Sequence, residues 1–317
     1  MDDYETLENN KTKYKFDFKK ILVLLFSTIS FMSFYPNSWI TDLFSHFRIH
    51  FIVLTIIYII GSFFISKNIS IFLSLVLLGH LALAGWAINS NFKFSPIPQT
   101  ENISLTILSS NILFKNNIKS ETLSQISKID ADIVVLSEAN KIWFTKIIEN
   151  LGNQYQYIER STESGRADVT ILSKYPLDEI VPFKTLGNHS GLRVLVNKDD
   201  KKIALYGIHP YSPMSNKHWK LRNNFLNDLS KEINKEKYPT IVTGDFNISI
   251  WSTFFQNFLK KSNMKSSNIF KGTFPSSLNV FGITIDHLVH SPQIQAKTTP
   301  LKIKGSDHLG LLSIVKF

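Results

Sequence analysis

The sequence predicts a mixed α/β domain that follows a membrane-embedded helical region. Apolar residues are concentrated in the first 90 positions, and eight short runs rich in β-branched residues recur after position 100. Helical periodicity occupies residues 120–128 and 218–236, between some of these runs. Short β-branched runs that alternate with helical patterns are typical of an α/β domain, here without a strictly parallel order.

Three apolar stretches are candidate membrane-spanning helices. Residues 49–66 and 69–88 contain no Lys, Arg, Asp or Glu, and their lengths are close to the ~20 residues that a helix needs to cross a bilayer. Residues 21–35 form a shorter stretch that ends before Pro36. A cleaved signal peptide is an alternative for this first stretch, because five lysines precede it, but no small-residue cleavage site follows.

The distribution of basic residues predicts the orientation of these helices. Five lysines precede the first stretch, whereas the two connecting loops carry only Arg48 and Lys67. Because positive charge favours the cytoplasmic side, three crossings place everything after residue 88 outside the cytoplasm. The sequence therefore predicts an integral protein of the inner or plasma membrane with an extracytoplasmic domain.

The helical bundle itself is predicted to be an anchor. His80 is expected to form a helix–helix hydrogen bond rather than an intramembrane site, and we expect no buried Asp, Glu, Lys or Arg in the bundle. A channel or transporter function is disfavoured, since such a function needs polar groups along a pathway.

Composition divides the chain into four segments. The stretch NSNFKFSPIPQT has the Pro, Ser and Asn content of a linker. The predicted segments are a cytoplasmic tail at 1–20, three transmembrane helices at 21–88, a linker at 89–100 and a soluble domain at 101–317. After position 90 there are 28 basic and 19 acidic residues, so the positive charge of the soluble domain favours a phosphate-bearing or anionic partner.

The chain contains no cysteine. This excludes thiol nucleophiles, cysteine-ligated zinc and iron–sulfur clusters. Any bound metal must therefore be held by oxygen or imidazole ligands.

The predicted strands end repeatedly in residues that can bind a cation or transfer a proton: Asn111, Glu138, His209, Asp245 and Asn247. A lone Asn or Glu after a strand is usually a turn former. In a layered α/β fold, however, strand ends line one edge of the sheet, so distant residues can assemble there. Carboxylate and amide oxygens suit a hard cation such as Mg²⁺ or Mn²⁺.

Two short motifs are more specific than the single residues. In GDFN, a simple turn explains Gly244 and Asp245 but not the further Asn247. In GSDH, Asp307 lies beside His308, as metal-assisted acid–base chemistry requires.

Six segments occur in the order LSSNI, VVLSEAN, GIHPYSP, TIVTGDFN, TIDHLVHS and GSDHLGLL. Together they resemble the endonuclease/exonuclease/phosphatase superfamily, which includes deoxyribonuclease I, apurinic endonucleases, bacterial sphingomyelinases and inositol polyphosphate phosphatases. The resemblance covers residues 104–317 and implies a four-layer α/β sandwich of two packed mixed β-sheets flanked by helices. Within the superfamily, the chain looks most like bacterial membrane proteins with a short multi-span N-terminus.

The resemblance also implies a metal-binding half of the site. Glu138 would be the principal ligand of Mg²⁺, with Mn²⁺ as an alternative, and Asn111 and Asp307 would lie close to the ion or its waters. Asp245 and Asn247 would orient and deprotonate the attacking water and hold a phosphate oxygen.

Two imidazoles complete the implied site. His308 would act on the phosphate or on the proton in transit, and Asp286 would fix its tautomer. His209 would be the second imidazole, with Asp168 as a candidate partner by position. Arg222 could reach phosphate, although we expect a surface or structural role for it.

These patterns predict a membrane-anchored, metal-dependent phosphodiesterase in which an activated water attacks in line. The substrate is left open between nucleic acid and a phospholipid head group, and nothing indicates the oligomeric state. The alternative is a catalytically silent module that binds phosphorylated ligands. That alternative is disfavoured because every acid–base and metal position of the motif set is intact.

Overall fold

The computed structural model describes residues 18–63, 66–91, 103–161, 168–184, 190–267, 271–278 and 281–317. Most of the predicted tail and residues 92–100 of the predicted linker lie outside the described residues. The predicted segment boundaries therefore stay a prediction.

Two six-stranded sheets form the body of the domain. The first has the order β11-β12-β1-β2-β4-β3 and the second the order β5-β6-β7-β8-β10-β9. The strands of the first sheet are β1 (Ser104–Asn111), β2 (Ile133–Ser137), β3 (Tyr157–Arg160), β4 (Val169–Ser173), β11 (Gln295–Lys302) and β12 (Leu309–Lys316). Those of the second are β5 (Leu177–Lys184), β6 (Ser190–Lys198), β7 (Lys201–Ile208), β8 (Thr240–Asp245), β9 (Lys265–Ser266) and β10 (Asp286–His290).

Each sheet is mixed. The β1–β2 pair and the β7–β8 pair are parallel, and the other neighbouring strands are antiparallel. Parallel central strands are covered on both faces, which explains why the runs that predicted them are almost continuously apolar. A parallel pair also brings two carboxyl ends to the same edge of its sheet.

Four helices cover the outer faces of the sheets: α5 (Lys119–Ile129), α6 (Lys141–Leu151), α7 (Asn216–Ile233) and α8 (Thr253–Lys261). One apolar cluster fills the space between the two sheets. A second cluster packs helices α5 and α6 onto the first sheet. A third packs helices α7 and α8 onto the second sheet. Three cores of this kind make four layers, so the predicted α/β sandwich of two packed mixed sheets is confirmed.

All eight predicted runs form strands, and the strands without a prediction are β3, β5, β9 and β11. These four are the edges of the two sheets. An edge strand faces solvent on one side and often carries charges or Pro, as Pro182 does in β5 and Pro300 in β11. Such a strand lacks the apolar run that identifies a central one.

The N-terminal region contains α1 (Phe18–Met32), α2 (Trp39–Ser45), α3 (Arg48–Phe63) and α4 (Lys67–Asn91). Among these described helices, only α4 is by itself long and apolar enough to cross a membrane. Helices α2 and α3 pass the same test only if the pair, bent by 68°, counts as one span. The predicted three-helix transmembrane region is thus supported only weakly, and α2 was not predicted.

The helical bundle contains buried charges, which corrects the expectation that it has none. Asp42 and Arg48 are 1% and 2% exposed. The Arg48 guanidinium donates to the Ser33 carbonyl oxygen at 2.8 Å and to Nδ1 of His80 at 3.3 Å. Nε2 of His80 in turn lies 2.5 Å from the Ser30 hydroxyl. The predicted helix–helix hydrogen bond of His80 is therefore confirmed.

The helical region packs directly against the α/β domain. Ala84 and Ala87 of α4 are buried in the same apolar cluster as Phe246, Phe255 and Phe258. The helical region is consequently part of the packed structure and not only joined to the domain through a linker.

Candidate active site

The sheet topology brings the predicted strand-end residues together. Asn111 and Glu138 lie at the carboxyl ends of the parallel strands β1 and β2, and His209 and Asp245 at those of β7 and β8. Asp286 at the start of β10 is the antiparallel partner of Asp245. Because the two sheets pack face to face, both sets of ends meet at one edge of the sandwich.

Unusual backbone conformations position three residues at these ends. Glu138 and Asn247 have φ angles of 62° and 52°, in the left-handed region that side chains other than Gly seldom adopt. Gly244 has φ 142°, and a Cβ atom there would lie 2.0 Å from the Ile208 carbonyl oxygen. Glycine is therefore required at this turn, and strained residues of this kind concentrate at functional sites.

Glu138 is held by two hydrogen bonds. Its Oε1 accepts from Nδ2 of Asn111 at 3.1 Å, and its Oε2 accepts from the Phe114 amide at 2.9 Å. The Asn111 amide also donates to Oδ2 of Asp245 at 3.2 Å. Asn111 thus joins the carboxylate of the first sheet to that of the second.

Asp245 lies between the two imidazoles that were predicted for the site. Its Oδ2 is 3.5 Å from Nε2 of His209 and 3.8 Å from Nε2 of His308, while its Oδ1 accepts from the Asn247 amide at 2.9 Å. Nδ1 of His308 donates to Oδ2 of Asp286 at 2.9 Å. The structure therefore brings together all five residues predicted to be catalytic.

The surroundings of Asp245 and His308 raise the pKa values of both groups. Burial raises the pKa of the Asp245 carboxyl, and the His308 charge only partly opposes this rise. Burial also lowers the pKa of His308, but the charges of Asp286 and Asp245 outweigh it and raise that pKa to about 10. At neutral pH His308 is a proton donor beside a carboxylate that accepts protons more readily than an exposed Asp does.

The donor set fits a hard divalent cation. Carboxylate oxygens of Glu138 and Asp245 both accept from Nδ2 of Asn111, so two oxygen atoms of the type that Mg²⁺ prefers lie near one point. One ligand atom each of Asp245, Asp286 and His308 also lies within 4.8 Å of the others. Asp286 and His308 are already hydrogen-bonded to each other, and the role of Glu138 as the principal metal ligand stays a prediction.

Two predicted residues lie at the margin of this cluster. Asp307 is exposed beside His308, and its carbonyl oxygen accepts from the Ser276 amide at 2.7 Å. Asp168 is buried at the start of β4, where it forms an ion pair with Arg160. Its assignment as the partner of His209 stays a prediction.

Sequence reasoning missed Asp42, a residue of the helical region that supports the site through Arg222. Arg222 is fully buried and donates to the Asn247 carbonyl oxygen at 2.9 Å and to Oδ2 of Asp42 at 2.6 Å. This confirms a structural role for Arg222. Asp42 accepts further hydrogen bonds from Trp219 and Ser252. A lone acid within an apolar segment is the signal that could have identified Asp42.

The loop before β10 also contributes to the site without having been predicted. The Phe274 ring packs on the His308 ring at a centroid distance of 4.7 Å. The Thr273 hydroxyl accepts from the Asp286 amide at 3.2 Å. These contacts fix the positions of the His308 imidazole and of Asp286, whose carboxylate accepts its hydrogen bond.

Solved structures with 15–18% sequence identity share the fold. A humanized TDP2 of D. rerio is 16% identical with a TM-score of 0.57, over 67% of this chain and 98% of that chain. A mutant beta toxin from Staphylococcus aureus with bound magnesium ions is 18% identical with a TM-score of 0.54, over 67% and 99%. Sphingomyelinase C from Streptomyces griseocarneus is 15% identical with a TM-score of 0.53, also over 67% and 99%.

Sequence comparisons separate two levels of similarity. A search of curated proteins finds no match. By contrast, the profile of the Endonuclease/Exonuclease/phosphatase family matches residues 108–308, which include every residue of the cluster described above. The chain therefore belongs to the endonuclease/exonuclease/phosphatase family.

Proposed function

We propose that this protein is a membrane-anchored, divalent-metal-dependent phosphodiesterase. Family membership and the shared fold support a phosphodiesterase-type hydrolase. The observation that carries the proposal is the position of Asp245, which lies within 4 Å of two imidazoles and is linked through Asn111 to Glu138. This arrangement supplies a base, a proton donor and a cation site around one point.

The residues of this chain divide the chemistry among them. Asp245 takes a proton from the attacking water, and the Asn247 amide keeps its carboxylate oriented toward that water. His308, fixed by Asp286, donates a hydrogen bond to a non-bridging phosphate oxygen, on which negative charge accumulates during attack. His209 binds the phosphate from the other side of Asp245.

The metal ligands are proposed separately from these steps. Glu138, together with Asn111 and Asp307, would hold Mg²⁺ or Mn²⁺. The bound cation would neutralise phosphate charge and stabilise the leaving oxygen. In the beta toxin neighbour, magnesium ions are bound within the same fold.

Membrane anchoring is supported by the exposure of the apolar helices. Only 28% of the most apolar window of α4 is buried, whereas the core helix of a soluble protein is mostly buried. The lysine-rich tail supports the orientation in which the tail is cytoplasmic and the catalytic domain extracytoplasmic.

The test uses the full-length protein in detergent micelles with bis-p-nitrophenyl phosphate. We expect hydrolysis with Mg²⁺ or Mn²⁺, none in EDTA, and losses of roughly 10²- to 10⁴-fold in Asp245→Asn and Glu138→Gln. The matched control is Asp228→Asn, an exposed carboxylate on α7. Folded wild-type protein that binds phosphate but hydrolyses nothing would instead identify the silent binding module.

A further inference from the structure

We propose that the substrate is a lipid phosphodiester presented by the membrane that holds the helices. This proposal rests on the proposed function, because it names the substrate class of the same site. It is carried by two loops that border the active site, that expose apolar side chains and that are fastened to the helical region.

Both loops contact catalytic residues. The first follows His209, and its Pro210 carbonyl oxygen accepts from Nδ2 of Asn247 at 3.1 Å. The second precedes Asp286 and carries Phe274, which packs on His308. The two loops therefore border the site that contains His209 and His308.

The same loops expose large apolar side chains. Met214 on the first loop is 78% exposed, and Leu278 and Phe281 on the second are 51% and 65% exposed. Ile40 and Phe47 of the helical region are 49% and 42% exposed. We call these five residues the apolar rim.

Hydrogen bonds between the loops and the helical region make the rim continuous. The Trp39 indole donates to the Pro213 carbonyl oxygen at 2.7 Å. Trp39 precedes Ile40 in the sequence and Pro213 precedes Met214, so this bond brings two rim residues together. Nε2 of His50 lies 2.8 Å from the Phe281 carbonyl oxygen, and the His50 ring packs on Phe47 at 5.5 Å. The rim thus runs from one loop across the helical region to the other.

A bilayer surface is the occupant that this rim fits. Further along α3 and α4, Ile57, Ile60, Leu75 and Leu78 are 58–63% exposed, so the rim continues an apolar surface that extends away from the domain. Apolar and aromatic side chains at the end of membrane helices lie at the level of the lipid head groups. The active site then opens where phosphodiesters of the lipids are found.

A lipid surface is favoured over a nucleic acid because the rim is joined to the exposed apolar side chains of α3 and α4. A polyanionic chain would instead be bound through lysine and arginine contacts to its phosphates.

The experiment compares three substrates for the full-length protein in vesicles of phosphatidylcholine and phosphatidylglycerol. These are the vesicle lipids, a single-stranded DNA oligonucleotide and bis-p-nitrophenyl phosphate, each with Mg²⁺. The test variant combines Met214→Ser, Leu278→Ser and Phe281→Ser. Its matched control is Ile142→Ser, a residue on α6 that is 65% exposed and lies on the opposite outer layer.

We expect release of lipid head groups by the wild type and by the control. In the triple variant this activity should fall by about tenfold or more, because the apolar side chains that would bind the site to the bilayer surface are removed. Its hydrolysis of bis-p-nitrophenyl phosphate should stay within about twofold of the wild type, because a soluble ester reaches the site without binding of the protein to a bilayer.

The alternatives give distinct results. Hydrolysis of bis-p-nitrophenyl phosphate without lipid hydrolysis, faster cleavage of the oligonucleotide than of the lipids, or wild-type lipid hydrolysis by the triple variant would each overturn the lipid proposal and leave the phosphodiesterase in place. If bis-p-nitrophenyl phosphate is not hydrolysed either, the proposed function fails and the lipid proposal fails with it.

Discussion

Two clusters of buried charge in this protein differ in how well their charges are compensated. At the junction between the helical region and the domain, Asp42 accepts hydrogen bonds from Arg222, Trp219 and Ser252. In the active site, the buried carboxylates of Asp245 and Asp286 share the imidazole of His308.

The difference shows that burial of charge alone does not identify a catalytic site. At the junction the Asp42 carboxylate is paired with the Arg222 guanidinium and also lies 3.9 Å from the His46 imidazole, so its negative charge is compensated. The candidate active site contains more buried carboxylates than cations, and the pKa values of its groups are shifted. Groups with shifted pKa values are concentrated at functional sites. The two clusters should therefore respond differently to the same Asp to Asn change.

The largest effect is expected for Asp245→Asn in the active site. Turnover should fall by roughly 10²- to 10⁴-fold, because the proposed general base is lost. The melting temperature should not fall, since the change removes a buried carboxylate that lies beside another one. Turnover of bis-p-nitrophenyl phosphate and thermal unfolding followed by circular dichroism check both parts. A marked loss of stability would show that the two clusters are alike.

The second effect concerns Asp42→Asn at the junction. Breaking a buried ion pair on one side costs about 3 to 5 kcal/mol, because the partner charge stays buried. We expect a large fall in the melting temperature and a smaller loss of turnover than in Asp245→Asn, whereas Asp228→Asn should change neither.

A double variant sharpens this test. Combining Asp42→Asn with Arg222→Gln should recover part of the lost stability, because no unpaired charge then remains buried. A double variant that is less stable than Asp42→Asn alone would contradict the interpretation of the junction as a compensated pair.

The third effect is a pH dependence that belongs to the active-site cluster. The pKa of His308 is raised to about 10 in the folded protein from an ordinary value of 6.5. The stabilisation by its charge is therefore complete below pH 6.5 and is lost as the pH rises through about 10. Melting temperatures of the wild type and His308→Gln, measured in EDTA, should converge over this range. A constant difference between them would contradict the assignment.

The smallest effect is stabilisation by the metal. At ten times its dissociation constant, Mg²⁺ should stabilise the wild type by about 1.4 kcal/mol through mass action. Glu138→Gln should lose this increment, while Glu149→Gln, an exposed carboxylate on α6, should keep it. Thermal unfolding with and without Mg²⁺ measures the difference. Equal stabilisation of Glu138→Gln and the wild type would remove Glu138 as the ligand.

Local patterns in the sequence predicted the central strands and the residues at their ends. Those strands are buried on both faces, and residues such as Glu138 and Asp245 follow them directly, so each signal lies within a few positions. The edge strands were not predicted, because a strand that faces solvent on one side does not need a continuous run of apolar residues. The Asp42–Arg222 pair joins residues 180 positions apart, and no local pattern connects an acid in an apolar segment with an arginine on a distant helix.

The buried position of Arg222 has a practical consequence for dividing this protein. A fragment that starts at residue 101 would keep the guanidinium in the interior but lose the carboxylate opposite it, and would uncover the apolar side chains now packed on Ala84 and Ala87. The limits of the catalytic unit therefore differ from the limits of the unit that folds. Truncation to the domain of the family removes the carboxylate that holds Arg222 beside Asn247 at the same time as it removes the helical region.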